Sequence, residues 1–423
     1  MYYKAKIDII SISNMGYTRQ AIKGISWMSL FRIISRILAF FKIAVLARVL
    51  TPSQFGVFGI ASIVLAFLEI ITETGINIIL IQAKKETKEY LDSAWVVSIA
   101  RGIIICFGII ILSPLISSFF KTPDAFGILL LISLVPLIKG FINPAEIQFR
   151  KKLNFKYEFW FRTILFLVDA MVAVIFALIT QSVYSLIIGL LAGAVLEVIL
   201  SFTLIKPTPK LILNSNYLKD ILHKGKWITA YGIFNYLSEN GDNIFVGKML
   251  GSSSLGIYQM AYKLSILPIS EVSDVVSQVV FPVYSKIEED TKRLLKAYFK
   301  TMALTILGGV AVGGIIFLYP KEIVTIILGS QWLSAVPVLK VLSIYGIFRT
   351  ISGPSSALFL AKGKQNYVTL MNFTRFSAIL ITIFPLILIY GITGAGYSVL
   401  IGVLIELPII ILFILKIFNS INK

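Results

Sequence analysis

Cysteine and histidine are almost absent from this 423-residue chain, which has one of each, Cys106 and His223. A single cysteine excludes an intramolecular disulfide and any cysteine-based metal centre. His223 lies in a basic loop with no second histidine or cysteine to join it, so it does not read as a metal ligand. Charge is also scarce, at 14% of residues, and acidic charge is the scarcer, with 21 Asp and Glu against 39 Lys and Arg. So little polar surface excludes a water-soluble globular protein of this length. The stretch from Met1 to Gln20 lacks the basic, apolar and cleavage regions of a signal peptide, and Met15 is an alternative start.

What the chain has instead is apolar sequence: 57% of residues are hydrophobic and the mean hydropathy is +0.89. Apolar runs recur at the roughly 20-residue length of a bilayer-spanning helix. With breaks placed at charge, Pro and Gly, they predict an all-α integral membrane protein of about twelve spans. The first six lie near 24–47, 57–81, 93–117, 126–149, 160–180 and 183–205. The second six lie near 227–249, 257–282, 298–318, 335–361, 367–389 and 396–417. The division is a short N-terminal segment (1–22), a first six-helix lobe (23–205), a polar linker (206–226), a second lobe (227–417) and a tail (418–423).

Basic residues support the map. Twenty-six of the 39 fall in segments on one side, and only Arg48, Lys121, Lys248 and Lys321 fall on the other. The positive-inside rule makes the rich side cytoplasmic and places both termini there. It also accounts for the net charge of +18 through attraction to anionic inner-leaflet lipid, so no nucleic-acid partner is expected. The outer loops are short, leaving no folded extracytoplasmic domain.

The two lobes carry a faint repeat at an offset of 200. Trp27, Ile33, Leu50, Ser53, Gly56 and Ala61 match Trp227, Ile233, Leu250, Ser253, Gly256 and Ala261 without a gap. A duplicated membrane chain implies two lobes around a central path, the plan of a transporter.

Charges inside the spans single out candidate functional residues, because each costs at least about 2.5 kcal/mol if it faces lipid. Arg32 and Arg36 share a face of the first span; Glu69, Glu73 and Asn77 form a stripe on the second. Tyr231, Asn235, Glu239 and Asp242 line one face of the seventh; Glu271, Asp274 and Gln278 line one face of the eighth. Lys42, Lys139, Arg349 and Arg375 complete the cationic candidates, with Arg349 and Arg375 deepest. Together these charges predict a polar cavity, although any one pair can be a structural bridge. Arg48, Lys248 and Arg162 sit near span ends, where they read as snorkelling to headgroups, and Lys340 and Glu146 are near enough for the same reading. In the repeat, Lys42 and Ala39 correspond to Asp242 and Glu239, so substrate-binding cations are expected mainly in the first lobe and ion-coupling acids mainly in the second.

Several local motifs carry a resemblance. The run Leu46-Ala-Arg-Val-Leu-Thr-Pro-Ser-Gln-Phe-Gly56 is similar to the L-x-R-x-L-T-P-x-x-F-G turn of bacterial polysaccharide flippases. Gln82, Leu91-Asp-Ser-Ala-Trp95, Arg150-Lys-Lys-Leu-Asn-Phe155, Asn240-Gly-Asp242, Leu255-Gly-Ile-Tyr258 and Phe281-Pro-Val-Tyr-Ser285 match in order and spacing. The chain thus resembles the Wzx-type flippases of the multidrug/oligosaccharidyl-lipid/polysaccharide (MOP) exporter superfamily from about Ala21 to the last span. The resemblance implies a V-shaped pair of six-helix lobes of the MATE/MOP kind. It also implies movement of undecaprenyl-pyrophosphate-linked sugar units from the cytoplasmic to the outer leaflet of the bacterial cytoplasmic membrane by alternating access.

The partners implied are membrane lipid, the lipid-linked oligosaccharide, and polymerase and chain-length machinery. No cofactor is expected beyond H+ or Na+ as a coupling ion. The cationic candidates would replace the hydration of the diphosphate with charge-assisted hydrogen bonds. A carboxylate such as Glu239 or Asp242 would take up the coupling ion. The acidic stripe keeps a cation-coupled drug exporter in view. A membrane polymerase or glycosyltransferase is disfavoured by the short outer loops and the lack of a D-x-D motif in the inner ones.

Overall fold

A computed structural model describes residues 17–73, 88–212 and 214–419, and every element of regular structure among them is helical. Asn77 and Gln82 lie outside the described residues, as do the side chains of Trp227, Asp274 and Gln278. The helices, in chain order, are α1 (Tyr17–Val49), α2 (Pro52–Ile71), α3 (Lys88–Phe119), α4 (Ala125–Ile132), α5 (Leu134–Lys139) and α6 (Gln148–Lys151). Then come α7 (Phe155–Thr180), α8 (Tyr184–Leu204), α9 (Ser215–Lys286), α10 (Thr291–Leu318) and α11 (Pro320–Ile327). The last are α12 (Val336–Arg349), α13 (Ser352–Ala361), α14 (Gln365–Tyr390) and α15 (Ile392–Asn419).

Among the described residues, eight helical spans are long and apolar enough to cross a membrane, and a ninth arises if the pair bent by 69° at residues 139–144 is one span. Each of the other three predicted spans, near 24–47, 227–249 and 257–282, is helical too. These three carry the polar stripes, with Arg32, Arg36 and Lys42 in α1, and Glu239, Asp242, Lys263 and Glu271 along α9. Large apolar side chains stand bare on the other helices, among them Ile111, Ile179 and Ile381, each more than 70% exposed. Such surface suits a hydrocarbon solvent.

The repeat is visible in where the chain turns. In the first half the turn is a capping box: Gln54 N–H donates to Thr51 Oγ1 (3.3 Å) while Thr51 N–H donates to Gln54 Oε1 (2.8 Å), with Pro52 opening α2. In the second half the equivalent break falls inside α9 at Gly251, whose φ of +84° no residue with a side chain adopts without strain. The two turns then lie against each other. A Cβ on Gly56 would stand 1.7 Å from Ser252 O, and one on Gly256 would stand 2.1 Å from Pro52 O. Residues 52 and 56 thus meet 256 and 252 reciprocally, as a local two-fold axis requires. Ser53 and Ser252 join hydroxyls at 3.2 Å, and Gly59 lies under the side chain of Gln259.

The chain forms two compact units. One comprises Met1–Leu50, Val64–Ser117 and Pro123–Phe234; the other comprises Thr51–Ile63, Ser118–Thr122 and Asn235–Lys423. The start of α2 therefore packs with the second half of the sequence, where the glycine crossing holds it. In the first unit, the linker is pinned by backbone bonds from Lys210 to Asp92 Oδ1 (2.7 Å) and from Asn214 to Ser93 Oγ (3.0 Å). Asn143 Nδ2 also donates to Pro207 O (3.1 Å). An aromatic core with Tyr298, Phe359 and Phe413 anchors one end of the second unit.

Candidate functional site

The second unit encloses a polar cavity of about 450 Å3. Its walls come from the two limbs of α9 and from α12, α13 and α14. Gly346 and Gly353 flank Arg349 at the α12–α13 seam and admit α9 closely: a Cβ on either would stand within 2.6 Å of Ile269 or Ser273 side-chain atoms. This approach leaves Arg349 facing the cavity. Its Nη1 is shielded from solvent and makes no hydrogen bond.

The neighbouring charges in this cavity are engaged. Arg375, 5% exposed at its side chain, donates from Nη1 to Glu406 Oε2 (3.2 Å), and Ser352 Oγ donates to Glu406 Oε1 (3.0 Å). Asp242 is buried and accepts from Tyr258 Oη (2.6 Å), Asn243 N (2.8 Å) and Asn243 Nδ2 (3.1 Å). Glu239 is exposed on the cavity wall. Asn235, Asn372, Ser270 and Tyr345 add groups that donate and accept.

A second cavity, of about 380 Å3, lies in the first unit and is lined by Glu69, Glu73, Arg101, Lys139 and Glu146 among others. Arg101 organises one wall. Its guanidinium donates to Glu69 O (2.5 Å), Thr72 Oγ1 (3.1 Å) and Glu73 Oε2 (3.2 Å). It therefore caps a carbonyl in the last turn of α2, where a cation is favoured. Lys139 is exposed at the end of α5.

Elsewhere in the first unit, Lys42 on α1 binds both oxygens of Asp169 on α7 at 2.8 Å, and each side chain is 14% exposed. Arg32 is half-buried and Arg36 exposed on α1, and Glu271 is half-buried on α9. The structure thus gathers Glu239, Asp242, Arg349 and Arg375 at one cavity and Glu69, Glu73 and Lys139 at another. It joins Lys42 to Asp169. Sequence reasoning gave no site role to Arg101, Glu406 or Tyr258. Their signal was an isolated charge or hydroxyl in an apolar run, and a partner more than ten residues away decided its use. Among the described residues no three His, Cys, Asp or Glu side chains converge as a metal site.

Comparison with known proteins gives this geometry a context. The family model described as "Polysaccharide biosynthesis protein" matches residues 45–337. The chain is 26% identical over 414 residues to the lipopolysaccharide biosynthesis protein WzxC of Escherichia coli (strain K12), covering 92% of this chain and 79% of that one. Its fold is similar to that of the lipid II flippase MurJ in an inward closed conformation, with a TM-score of 0.73 and 18% identity over 93% of this chain and 89% of that one. A multidrug resistance MATE family transporter of the MOP superfamily, inward-facing, gives a TM-score of 0.68 and 14% identity over 95% and 99%. The fold is therefore of the MATE/MOP kind.

Proposed function

The chain belongs to the polysaccharide biosynthesis protein family, and from that premise we propose that it is a flippase for lipid-linked oligosaccharide. Its cargo would be an undecaprenyl-pyrophosphate-linked sugar repeat unit, carried across the bacterial cytoplasmic membrane by alternating access for surface polysaccharide synthesis. It acts as a carrier and makes or breaks no bond in the cargo.

The observation that carries this reading is the unengaged Arg349 nitrogen in a polar cavity within an apolar helical protein. A diphosphate cannot enter hydrocarbon unaided, because desolvating its charge is prohibitive. A guanidinium with a free donor replaces that hydration with charge-assisted hydrogen bonds. The surrounding Asn, Ser and Tyr side chains suit sugar hydroxyls, which both donate and accept. The relative named for lipopolysaccharide biosynthesis and the neighbour described as a lipid II flippase support this cargo class. On this reading both termini lie in the cytoplasm, which the distribution of basic residues supports, and substrate is handed on to polymerase and chain-length machinery outside.

Purified protein in vesicles with a fluorescent pyrophosphate-linked glycolipid tests the proposal. Wild type moves the lipid between leaflets, and Arg36→Ala combined with Arg349→Ala abolishes the movement. Unchanged flipping in that variant overturns the cationic-cavity mechanism. Glu239 on the same wall supports a second reading, export of an organic cation. Cation export that survives Arg349→Ala and fails in Glu239→Gln would favour it.

A further inference from the structure

A charge cluster centred on the buried Glu158 lies where α6, α7 and the 3-10 turn at Pro144–Ile147 meet in the first unit. Glu158, 2% exposed, accepts through Oε1 from Arg150 Nε (2.7 Å) and Arg162 Nε (3.0 Å). Arg162 Nη2 approaches Glu146 Oε1 at 3.9 Å. The other oxygen of each acid, Glu146 Oε2 and Glu158 Oε2, is shielded from solvent and has no hydrogen-bond partner. Both acids line one small cavity of about 30 Å3, closed by Ile147, Phe149 and Phe161. A buried carboxylate oxygen without a donor is costly, and a proton held by one of these two acids would supply a donor to the cavity.

The surrounding charge adds to that demand. Glu197 on α8 acts through space on both Glu146 and Arg162, so three carboxylates meet the two guanidiniums of Arg150 and Arg162. Glu146 also lines the larger first-unit cavity, where Glu69 and Glu73 face Arg101 and Lys139 in equal number. The nearby Lys152 is turned to Gln148 Oε1 (2.7 Å). Among the described residues whose charges act on Glu146, itself included, acids outnumber arginines by one.

We propose that Glu146 and Glu158 form a proton-binding site, with one proton carried by Glu146 and donated into the small cavity toward Glu158 Oε2. A metal cation does not fit: hard cations demand about six oxygen ligands, and this cavity offers two free carboxylate oxygens beside two arginines. The proton comes from water in the larger cavity, to which Glu146 is common, and returns there on release. Glu146 stands beyond the 69° bend that follows α5, so gaining or losing its charge changes the pull between that bent segment and Arg162 on α7. Resting on the transport reading, this gives the carrier a coupling site in the first unit.

The test uses the full chain. Infrared difference spectra of purified protein between about pH 5 and pH 9 should show a protonated-carboxyl band that titrates. Glu146→Gln, an isostere of the protonated acid, should lose it. In vesicles the flipping rate of wild type should change about tenfold across that range, and that of Glu146→Gln by less than about twofold. Spectra in choline chloride should equal those in sodium chloride. An unaltered band in Glu146→Gln overturns the proposal, as does a band that depends on Na+. Should Glu146→Gln fail to fold, Glu158→Gln must shift the band instead, and no shift is equally fatal. A titrating Glu146 band in a protein that flips nothing would leave this site standing and sink the flippase reading; flipping without the band does the reverse.

Discussion

The two cavities use charge differently. In the first unit, Arg101 is tied to the end of α2 and Lys42 to Asp169, and the exposed Lys139 lines one cavity with Glu69 and Glu73. In the second unit, Arg349 keeps a shielded nitrogen without a hydrogen bond, although Arg375 on the same cavity donates from Nη1 to Glu406. The lesson is that an intramembrane charge is not a functional residue by virtue of its depth. A paired charge holds helices together, and a donor without a partner is available to a ligand. The same rule turns attention in the first unit from its cations to its acids, because Glu146 and Glu158 each hold a shielded carboxylate oxygen without a donor.

The sharpest break of this comparison is Glu406→Ala. It strands Arg375 in a site that is almost fully buried, and the expected cost is ~3–5 kcal/mol of stability, read as a lowered thermal unfolding midpoint in detergent. Arg349→Ala should do the opposite, with an unchanged midpoint and a flipping rate reduced roughly 10- to 100-fold, the worth of a charge-assisted hydrogen bond. If both arginines behave alike, the distinction between paired and unpaired charge fails. Lys42→Ala should cost about 2 kcal/mol, and Lys42→Met with Asp169→Leu should recover most of it. Failure of that double variant to fold would show that the pair does more than join α1 to α7.

Smaller effects sharpen the picture. Tyr258→Phe removes the 2.6 Å bond to Asp242, with an expected cost of about 1–2 kcal/mol and little change in flipping. Thr51→Ala removes half of the capping box and should cost about 1 kcal/mol. Equal losses of stability in Thr51→Ala and at the buried pairs would argue against the ranking by burial.

Much of the fold was legible in the sequence, because a hydrocarbon solvent permits so few solutions. A backbone that must satisfy its own hydrogen bonds there is helical, so apolar runs bounded by Pro, Gly and charge mark the helices directly. The offset of 200 residues was legible too, and the turns at Thr51 and Gly251 fall where it aligns them. Other features were not. The grouping of residues 51–63 with the second unit depends on Gly56 and Gly256 meeting Ser252 and Pro52, which no single-chain pattern announces. Glu146 read as a residue near a span end because distance along the helix says nothing about the bend that brings it to the cavity it shares with Glu158.

The sequence by itself determined that this chain is an all-α membrane protein with two related halves, since composition and period follow from the solvent in which the chain must fold. Only the tertiary structure decided which charges are engaged and which are open to a ligand. Pairing is a matter of a few ångströms between helices far apart in the chain: Lys42 with Asp169, Arg375 with Glu406, Arg349 with nothing at Nη1.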